Sequence, residues 1–374
     1  MGGGHSHVEV LRRLARRPEP RARLTLLADR EVALYSGMVP GFVAGQYAQS
    51  ELTLDLRRLA ERAGARLLLD RVVGLDPRAR RLRLAGAPDL PYDLASLDVG
   101  STVAGADLPG VREHALATRP MAQLVAGVEG ILARGRGAAP GAPFRVAVVG
   151  AGAGGVELAF AFRARLLALG VAGAEVLLLE AAPGLLPGAP RALARRVARA
   201  AARRGLLFRG GASVRAVTAG EIALEGGGRV PFDALVWAAG AAAHPFLQAS
   251  GLPVDPRGYV LVAPTLEVPG CPGLFAAGDC AQLEGAPATP RAGVHAVRAG
   301  PVLAGNLRAR LRGRPLRAWR PQRDFLTLLN LGDGTAIGCK WSLVAEGRLV
   351  LALKDWIDRR FVGRYRSGPP TASS

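Results

Sequence analysis

Three glycines near the middle of the chain have a spacing that suits the binding of a dinucleotide. Gly150, Gly152 and Gly155 form a G-x-G-x-x-G loop between a buried-strand pattern, RVAVV, and an apolar helix pattern. The first permits a tight turn, the second lets a diphosphate approach the backbone, and the third lets the helix pack against the strand. Glu180 ends the next strand pattern, where a carboxylate would accept hydrogen bonds from ribose hydroxyls and repel a 2′-phosphate. The motif predicts an NAD(P)H site that favours NADH, with a purely structural glycine turn as the alternative.

The first residues of the chain are similar to a second loop of this kind. Gly2 and Gly4 are followed by His7 at the place of the third glycine, and by a helical pattern. The next strand pattern, ARLTLLADR, places Asp29 near the ribose-binding position. A strand should precede such a loop at the centre of the sheet, but the sequence begins at the glycines. We therefore expect the natural start to lie upstream of Met1, with a Val- or Leu-rich strand.

The histidines and cysteines do not predict a metal site. His5 and His7 stand at a predicted helix N-terminus, where proximity to a phosphate explains them better than metal ligation does. Cys271, Cys280 and Cys339 are far apart and form no CxxC pair, so neither zinc binding nor a disulfide framework is expected. This cysteine usage fits a reducing, cytoplasmic setting.

The formal net charge is +19, and almost all of the positive charge comes from arginine. Lys340 and Lys354 are the only lysines, and few aromatic residues lie among the arginines, which are spread along the chain. Nucleic-acid binding favours clustered basic residues with stacking aromatics, so we predict no nucleic-acid partner. Attraction to anionic lipids or acidic partners stays open. No apolar run reaches 18 residues, so no membrane-spanning segment is predicted.

Strands and helices in alternation must position these loops. The Gly- and Pro-rich segment 135–143 separates a helix pattern around 121–132 from the central loop, and we predict a domain boundary there. Segment 33–47 is also rich in Gly and Pro, as expected of a loop that lines a cofactor. Ser36 and Gly37 are its candidate cofactor contacts, with a plain loop as the alternative.

The last helical pattern, residues 349–366, is amphipathic. One face is predicted to carry Leu353, Trp356, Ile357, Phe361 and Tyr365, with the charged residues mainly elsewhere. A basic amphipathic helix can lie on a membrane surface, or it can pack on its own domain or on a dimer partner. Both interpretations stay open. The final GPPTASS is predicted to be a disordered tail.

Taken together, these motifs resemble the pyridine nucleotide-disulfide oxidoreductase superfamily over about residues 1–311. The two glycine loops, the LFAAGDCA segment and the turns ending DVGST and WAAG carry the resemblance. In that family the first loop holds FAD and the second holds NAD(P)H. The resemblance implies that Gly278 and Asp279 contact the ribityl chain of FAD, and that the paired turns contribute Thr102 and Gly240. Val73, in the strand pattern LLLDRVVGLD, is a further candidate cofactor contact.

The absence of a paired redox disulfide makes the chain more similar to the type II NADH dehydrogenase branch, which shares GVEL and GDCA. The segments GGGHSHV, YSGMVPG and PRAGVHAVRAGPVLAGNL also resemble the flavoprotein module found ahead of selenophosphate synthetase (selenide, water dikinase) in some bacteria. Type II NADH dehydrogenases tend to carry two glutamines after GDCA, and the aligned positions here are Val294 and Arg298. The electron acceptor is therefore open between a quinone and another small molecule.

Three side chains are candidates for catalysis. Glu157 follows the second glycine loop, where it either stabilises the helix N-terminus or lies near nicotinamide and flavin and affects proton uptake. His295 and Arg298 stand one turn apart on the helix after GDCA. The histidine would deliver a proton to the reduced acceptor, and packing on the flavin or exposure to solvent is the alternative.

We therefore predict an α/β fold with two Rossmann-like three-layer domains. A discontinuous FAD-binding domain comprises residues 1–120 and 245–312, an inserted NAD(P)-binding domain comprises 121–244, and a small α+β segment covers 313–374. The predicted function is that of an FAD-dependent NAD(P)H oxidoreductase acting on a quinone or another small acceptor. A redox enzyme of selenium or sulfur metabolism and a flavin-binding interaction protein are the alternatives. We expect a cytoplasmic protein; membrane contact through 349–366 and a homodimer stay open.

Overall fold

The chain folds into two layered α/β units followed by a small C-terminal segment. The computed structural model describes residues 1–139, 142–287, 289–322 and 324–366. Parallel strands alternate with helices in both units, so the predicted α/β class with two Rossmann-like domains is confirmed. The predicted disordered tail lies outside the described residues. The domain boundaries after residues 120, 244 and 312 stay a prediction.

The N-terminal unit is assembled from short paired strands and the helices beside them. Its elements are α1 (His5–Arg16), β1 (Leu24–Ala28), β2 (Val32–Leu34), α2 (Val39–Val43), α3 (Gln49–Leu52), β3 (Thr53–Asp55), α4 (Leu56–Arg62), β4 (Ala65–Leu69), β5 (Val72–Asp76), β6 (Arg81–Leu84), β7 (Leu90–Pro91), β8 (Ala95–Leu97), β9 (Thr102–Val103) and α5 (Val111–His114). β1 and β4 pair in parallel, and β5, β6 and β7 form an antiparallel sheet. The strand pattern LLLDRVVGLD is thus divided between two strands in different sheets.

Met1 and Gly2 lie between two strands of this unit. The Gly2 amide donates to the Leu27 carbonyl in β1 at 2.8 Å, and the Asp98 amide, just after β8, donates to the Met1 carbonyl at 2.9 Å. The Met1 amino group donates to the Ser96 carbonyl at 2.8 Å. These two residues therefore lie where the sequence leads us to expect a central strand. The hypothesis of an upstream start stays a prediction.

The second unit contains a five-stranded parallel sheet that supports the central glycine loop. Its elements are β10 (Leu116–Ala117), α6 (Met121–Arg136), β11 (Phe144–Val149), α7 (Ala153–Ala168), β12 (Ala174–Leu179), α8 (Arg191–Arg203), β13 (Leu207–Arg209), β14 (Val214–Val217), β15 (Glu221–Leu224), β16 (Arg229–Pro231) and β17 (Ala234–Trp237). The strand order is β10-β17-β11-β12-β13. β11 is central and almost wholly buried, because its RVAVV run has apolar neighbours on both faces. The predicted linker 135–143 is partly wrong, since α6 continues to Arg136.

After the second unit, the chain returns to the first. The returning elements are β18 (Ala241–Ala242), α9 (Pro245–Ala249), β19 (Val260–Val262), β20 (Leu274–Ala276), β21 (Ala281–Leu283) and α10 (Gly293–Leu311). β20 pairs in parallel with β8, although the two strands are far apart in sequence. α10 packs along α1. The Gly-Asp motif that follows β20 therefore comes close to the N-terminal glycine loop.

A small α+β segment completes the described chain and contacts both units. It consists of β22 (Thr327–Asn330), β23 (Ala336–Lys340), β24 (Leu343–Gly347) and α11 (Arg348–Arg366), with the three strands antiparallel. Glu346 in β24 forms ion pairs with arginines of the second unit, Arg196, Arg203 and Arg204. In α11, the Tyr365 hydroxyl donates to Glu9 of α1 at 3.1 Å. The segment thus connects the two units to each other.

The predicted apolar face of the last helix is partly wrong. Phe361 and Tyr365 are buried against the N-terminal unit, but Leu353 and Trp356 point to solvent. The inward face also carries a buried ion pair, Lys354 with Asp358 at 2.8 Å. This charged pair, rather than a continuous apolar stripe, occupies the middle of the contact between α11 and the rest of the protein.

Loss of the Asp358 carboxylate should destabilise the protein strongly. The variant Asp358→Ala leaves the Lys354 ammonium buried without its counter-ion, which typically costs about 3–5 kcal/mol. The control is Glu129→Ala on α6, which removes an exposed pair with Arg136 and should cost about 1 kcal/mol or less. Urea unfolding of both variants measures the difference. Equal losses of unfolding free energy would contradict the structural role given to the buried pair.

Candidate functional site

A first cavity of about 570 Å³ lies at the ends of β1 and β8, beside the N-terminal glycine loop. The loop residues Gly2 to His5 and the carboxylate of Asp29 line it. Gly2 has a φ of 90°, which a residue with a side chain rarely adopts. Asp29 is held by its neighbour Arg30, which donates two hydrogen bonds to the carboxylate and lowers its pKa. A helix N-terminus at one end and a carboxylate at the other suit the diphosphate and ribose of FAD.

Asp279 of the Gly-Asp motif after β20 also lines this cavity. The Asp279 carboxylate accepts a hydrogen bond from the Arg119 guanidinium at 2.7 Å. Arg119 also donates to the Ser101 hydroxyl at 2.7 Å. The motif thus presents a carboxylate whose orientation is fixed by a residue from the segment between β10 and α6. Such a carboxylate can accept hydrogen bonds from the hydroxyls of a ribityl chain.

A second cavity of about 1080 Å³ adjoins the central glycine loop. Gly150 has a φ of 104°, and a Cβ atom at Gly155 would lie 1.8 Å from the Gly150 carbonyl oxygen. Side chains are therefore excluded at both positions. Glu180 lines the same cavity, and its carboxylate accepts hydrogen bonds from the Ala151 amide at 2.6 Å and the Ala182 amide at 3.0 Å. The loop and its acid form one rigid unit that suits an NAD(P)H diphosphate and ribose.

The two cavities share part of their walls. Five residues line both cavities: Ser36, Arg119, Met121, Arg291 and Gly293. The Arg291 guanidinium lies 3.3 Å from the centre of the Tyr259 ring and donates to the Gln282 side chain at 3.1 Å. Groups bound in the two cavities would therefore both lie beside these arginines.

Glu157 lines the second cavity from a position just after the first turn of α7. Its carboxylate accepts a hydrogen bond from the Asn330 amide at 2.8 Å. Burial raises the pKa of Glu157 to about 7, while the nearby Lys354 ammonium acts in the opposite direction. This side chain can therefore gain and lose a proton near neutral pH, which an exposed glutamate cannot do.

Lys354 and Asp358 of α11 extend this polar region towards segment 33–47. The Lys354 ammonium donates to the Gly37 carbonyl at 2.7 Å. The Tyr35 hydroxyl donates to Asp358 at 3.0 Å, and the Tyr35 ring stacks on Phe361 with 4.3 Å between ring centroids. Burial and the Asp358 charge raise the pKa of Tyr35. The C-terminal helix thereby fixes the loop that forms part of both cavity walls.

His295 and Arg298 lie apart from the two large cavities. The His295 ring packs edge-on against Trp319 and Phe325, beside a separate cavity of about 40 Å³, and burial lowers its pKa. Arg298 is exposed. The His295 ring thus packs on protein side chains. A catalytic role for either residue stays a prediction, and no cavity contact supports it.

The other predicted contacts divide into those that line a large cavity and those that do not. The first cavity is lined by Gly2, Gly4, His5, Asp29, Ser36, Val73 and Asp279, and the second by Ser36, Gly37, Gly150, Gly152, Gly155, Glu180 and Gly240. Thr102 lines neither, because it lies in β9 and pairs with β18. Its neighbour Ser101 lines the first cavity instead. Gly278 lies behind that cavity, packed against Asp98.

Sequence reasoning missed several polar residues of the site. Arg119 and Arg291 are ordinary arginines in an arginine-rich chain, and no motif distinguishes them. Lys354 could have been noticed in the sequence, because it is one of only two lysines in the chain. It also lies in a helical pattern of apolar and charged residues. Its ion-pair partner Asp358, one helical turn later, could have been found with it.

The cysteines and the metal-binding residue types do not form a site in the described part of the chain. Cys280 and Cys339 are buried, Cys271 is half-buried, and none of the three lines either large cavity. Within residues 1–139, 142–287, 289–322 and 324–366, no group of three or more His, Cys, Asp or Glu side chains could hold a metal ion.

An apolar strip lies on the outer surface of the C-terminal segment. It consists of Trp341, Leu343, Leu349, Leu353 and Trp356, which are between 43% and 87% exposed. Two cations lie against its aromatic rings, Lys340 at 4.8 Å from Trp341 and Arg360 at 5.4 Å from Trp356. None of the helices described is both long enough and apolar enough to pass through a bilayer.

Known proteins resemble this chain over most of its length. A relative in Mycobacterium tuberculosis, an NADH dehydrogenase-like protein, is 28% identical over 309 residues, which cover 80% of this chain and 76% of the relative. A type II NADH:quinone oxidoreductase of the same organism is 30% identical over 182 residues, covering 44% of this chain and 39% of the relative.

Solved structures share the fold. The sulfide:quinone oxidoreductase of Aquifex aeolicus superimposes with a TM-score of 0.82 at 16% identity, covering 98% of this chain and 90% of that one. The NDH2 of Plasmodium falciparum in complex with NADH gives a TM-score of 0.80 at 14% identity, covering 97% and 96%. The model of the family described as pyridine nucleotide-disulphide oxidoreductase matches residues 1–300. The chain therefore belongs to the pyridine nucleotide-disulphide oxidoreductase family, and it is a flavin-dependent NAD(P)H oxidoreductase of the NADH dehydrogenase-like kind.

Proposed function

We propose that this protein takes a hydride from NADH with the help of bound FAD and passes the electrons to a quinone or another small acceptor. The observation that carries the proposal is the shared wall of the two cavities, with Arg119, Arg291 and Gly293 exposed to both. Hydride transfer needs the reacting atoms about 3–3.5 Å apart. Two dinucleotide cavities that share lining residues would bring the two cofactors close to each other.

The residues of the first cavity have the chemistry that FAD requires. Gly2 and Gly4 leave the backbone accessible to a diphosphate at the N-terminus of α1, and Asp29 would accept from the adenosine ribose. Asp279 would accept from the ribityl chain, held in place by Arg119. When bound, FAD supplies a ring that accepts a hydride and releases electrons to an acceptor.

The chain's own residues position the partners and handle protons. The loop Gly150 to Gly155 would bind the NADH diphosphate, and Glu180 the ribose. Glu157 faces the same cavity and can hold a proton at its carboxylate near neutral pH. We infer that Glu157 releases this proton to the reduced acceptor, because quinone reduction consumes protons as well as electrons.

A quinone is the acceptor that we propose first, because a relative is a type II NADH:quinone oxidoreductase. Val294 and Arg298, at the positions of the glutamines typical of that branch, line neither large cavity. We therefore also propose another small molecule as an alternative class of electron acceptor. Selenium or sulfur chemistry would need a cysteine beside the flavin, and no cysteine of the described chain lines either cavity. That alternative, like a homodimer, stays a prediction.

Anaerobic reduction tests the proposed function directly. The purified protein should be yellow, and its flavin absorbance near 450 nm should bleach when NADH is added, as a flavin does when it accepts two electrons. Addition of a soluble quinone should then restore the colour. A yellow protein that sulfide or selenide bleaches but NADH does not would contradict the proposal and favour the alternative.

The same assay tests Glu157 with the variant Glu157→Gln. NADH should still bleach the flavin, but turnover with quinone should fall by about a hundredfold, the usual range for loss of a general acid. Wild-type turnover should decrease as the pH rises above about 7, because the protonated carboxyl supplies the proton and its pKa is about 7. The variant should lose this dependence. Glu175→Gln, on an exposed position of β12, is the control. An unchanged pH profile in Glu157→Gln would exclude the proton role.

Preference for NADH over NADPH should depend on Glu180. We propose that its carboxylate accepts from the ribose hydroxyls of NADH and repels the 2′-phosphate of NADPH. Glu180→Ala should weaken NADH binding about tenfold, which corresponds to about 1.4 kcal/mol, and should weaken NADPH binding much less. Dissociation constants for both nucleotides, with Glu175→Ala of the same strand as the control, measure this. The same NADH preference in the variant would refute the assignment.

We propose that the apolar strip contacts a membrane containing anionic lipids. Exposed tryptophans beside cations are typical of surfaces that lie at a bilayer interface. Deletion of the helix would be uninformative, because its inner face is part of the core. The variant Trp341→Ser/Leu349→Ser/Trp356→Ser should instead reduce the fraction that floats with phosphatidylglycerol vesicles at least tenfold. The control Leu167→Ser/Leu207→Ser changes exposed leucines elsewhere. Equal flotation of the two variants would end the proposal.

A further inference from the structure

Asp98 is a buried carboxyl in the wall of the first cavity that the proposed mechanism does not use. It follows β8 directly and is only 3% exposed. Its carboxylate accepts a hydrogen bond from the His7 amide at 2.9 Å, in the first turn of α1. The carboxyl therefore lies at the N-terminus of the helix that, in a dinucleotide-binding unit, faces the diphosphate.

Both glycine motifs of the proposed FAD site close around this carboxyl. A Cβ atom at Gly4 would lie 2.3 Å from the Asp98 carboxyl group, and one at Gly278 would lie 2.3 Å from the same group. The lack of side chains at these two glycines is thus required by Asp98 itself, whether or not a diphosphate is present. Asp98 is therefore part of the packing that forms the site.

An ionised Asp98 would repel a diphosphate electrostatically. The diphosphate of FAD carries about two negative charges, and Asp279 already contributes another carboxylate to the same wall. The guanidinium of Arg119, which lines the same cavity, is engaged by Asp279 and Ser101. Burial of like charges together without a dedicated counter-ion is costly, and one of them normally takes up a proton.

The other titratable groups around Asp98 do not supply a cation above pH 7. Burial lowers the pKa of His7 to about 3. Burial also lowers the pKa of His5, and it raises that of the Cys280 thiol to about 12. Between pH 7 and pH 9 these groups are neutral, so Asp98 is the group in this set whose charge changes.

We propose that Asp98 carries a proton whenever the diphosphate of FAD is bound, an inference that rests on the proposed FAD site. Binding of FAD would then take up one proton. The protonated carboxyl removes the repulsion and becomes a hydrogen-bond donor for the anion. Asp98 is then a binding residue for the cofactor diphosphate, and its ionisation competes with FAD.

The sign of the pH dependence follows from this competition. Burial raises the pKa of Asp98 to about 7 in the protein without FAD. Below that pH the carboxyl is already protonated, and affinity for FAD should be constant. Above it, each molecule of FAD must bring a proton with it, so the dissociation constant should rise towards tenfold per pH unit.

The FAD-loaded protein is diluted at several pH values between pH 7 and pH 9. The fluorescence of the released flavin then gives the dissociation constant. Wild type should show the rise, and Asp98→Asn should bind FAD with a constant affinity, tighter than wild type at pH 9. The control is Asp29→Asn, at the other end of the same cavity. Because its pKa is lowered by Arg30, Asp29 stays ionised over this range, and its variant should weaken FAD equally at every pH.

If Asp98→Asn does not fold, calorimetry and infrared spectroscopy on the wild-type protein still test the proposal. Titration of FAD at pH 8.5 in two buffers of different ionisation enthalpy should give uptake of about one proton. A carboxylic-acid C=O band should appear on binding. A dissociation constant for FAD that does not change with pH, without proton uptake, would overturn this proposal and leave the FAD site intact. The same holds if the dissociation constant of Asp98→Asn rises with pH as steeply as that of wild type. Failure to bind FAD at any pH would overturn both.

Discussion

The ion pair between Arg119 and Asp279 is the contact on which the geometry of the site depends. Arg119 belongs to the segment that enters the second unit, and Asp279 ends a strand of the first unit. Their bond at 2.7 Å fixes the place where the two cavities meet. A partly buried pair of this kind adds little net stability, because desolvation offsets much of the attraction. What it provides is position, since a small shift between the units would separate the two cofactor sites.

Local motifs were predictable because their geometry is dictated by a few adjacent residues. The loop at Gly150 and its acid Glu180 require only a strand, a turn and a helix in sequence, and their pattern is complete in the chain. Arg119 and Asp98 could not be assigned in this way. Their roles arise from pairing with residues far away in the chain, 160 positions for Arg119 with Asp279 and 91 for Asp98 with His7, which a single sequence does not reveal. Thr102 was misplaced by one residue, because turn motifs fix the bend more reliably than the side-chain direction.

The last helix illustrates a different limit. Its periodicity predicts an apolar face, but it does not tell which of those residues are buried, and Leu353 and Trp356 are exposed. Lys354 and Asp358 satisfy each other, and this allows a charged pair to be buried where an apolar stripe was expected. Hydrophobic periodicity detects the helix, whereas the orientation depends on partners such as Tyr35 that lie elsewhere in the chain.

Burial and ion pairing have opposite effects on the carboxyl groups of the site, because burial favours the protonated form and a cationic partner favours the ionised form. Asp279 and Asp358 have cationic partners, Arg119 and Lys354, within hydrogen-bond distance. Among the residues that the structure describes, Asp98 has no such partner, and burial raises its pKa towards neutrality, as it does for Glu157 despite the charge of Lys354. Carboxyls that orient a ligand and carboxyls that exchange protons are thus distinguished by their surroundings, although the residue types are the same.

The connection made by the C-terminal segment has a consequence for how the protein folds and unfolds. Glu346 holds the second unit and Tyr365 holds the first, so the same short segment must dock on both. Because it follows both units in the chain, a ribosome completes their sheets before the segment that sets the angle between them has been synthesised. The two units can therefore form early, but their relative orientation is fixed last. In the finished protein, release of this segment would remove contacts from both units at once.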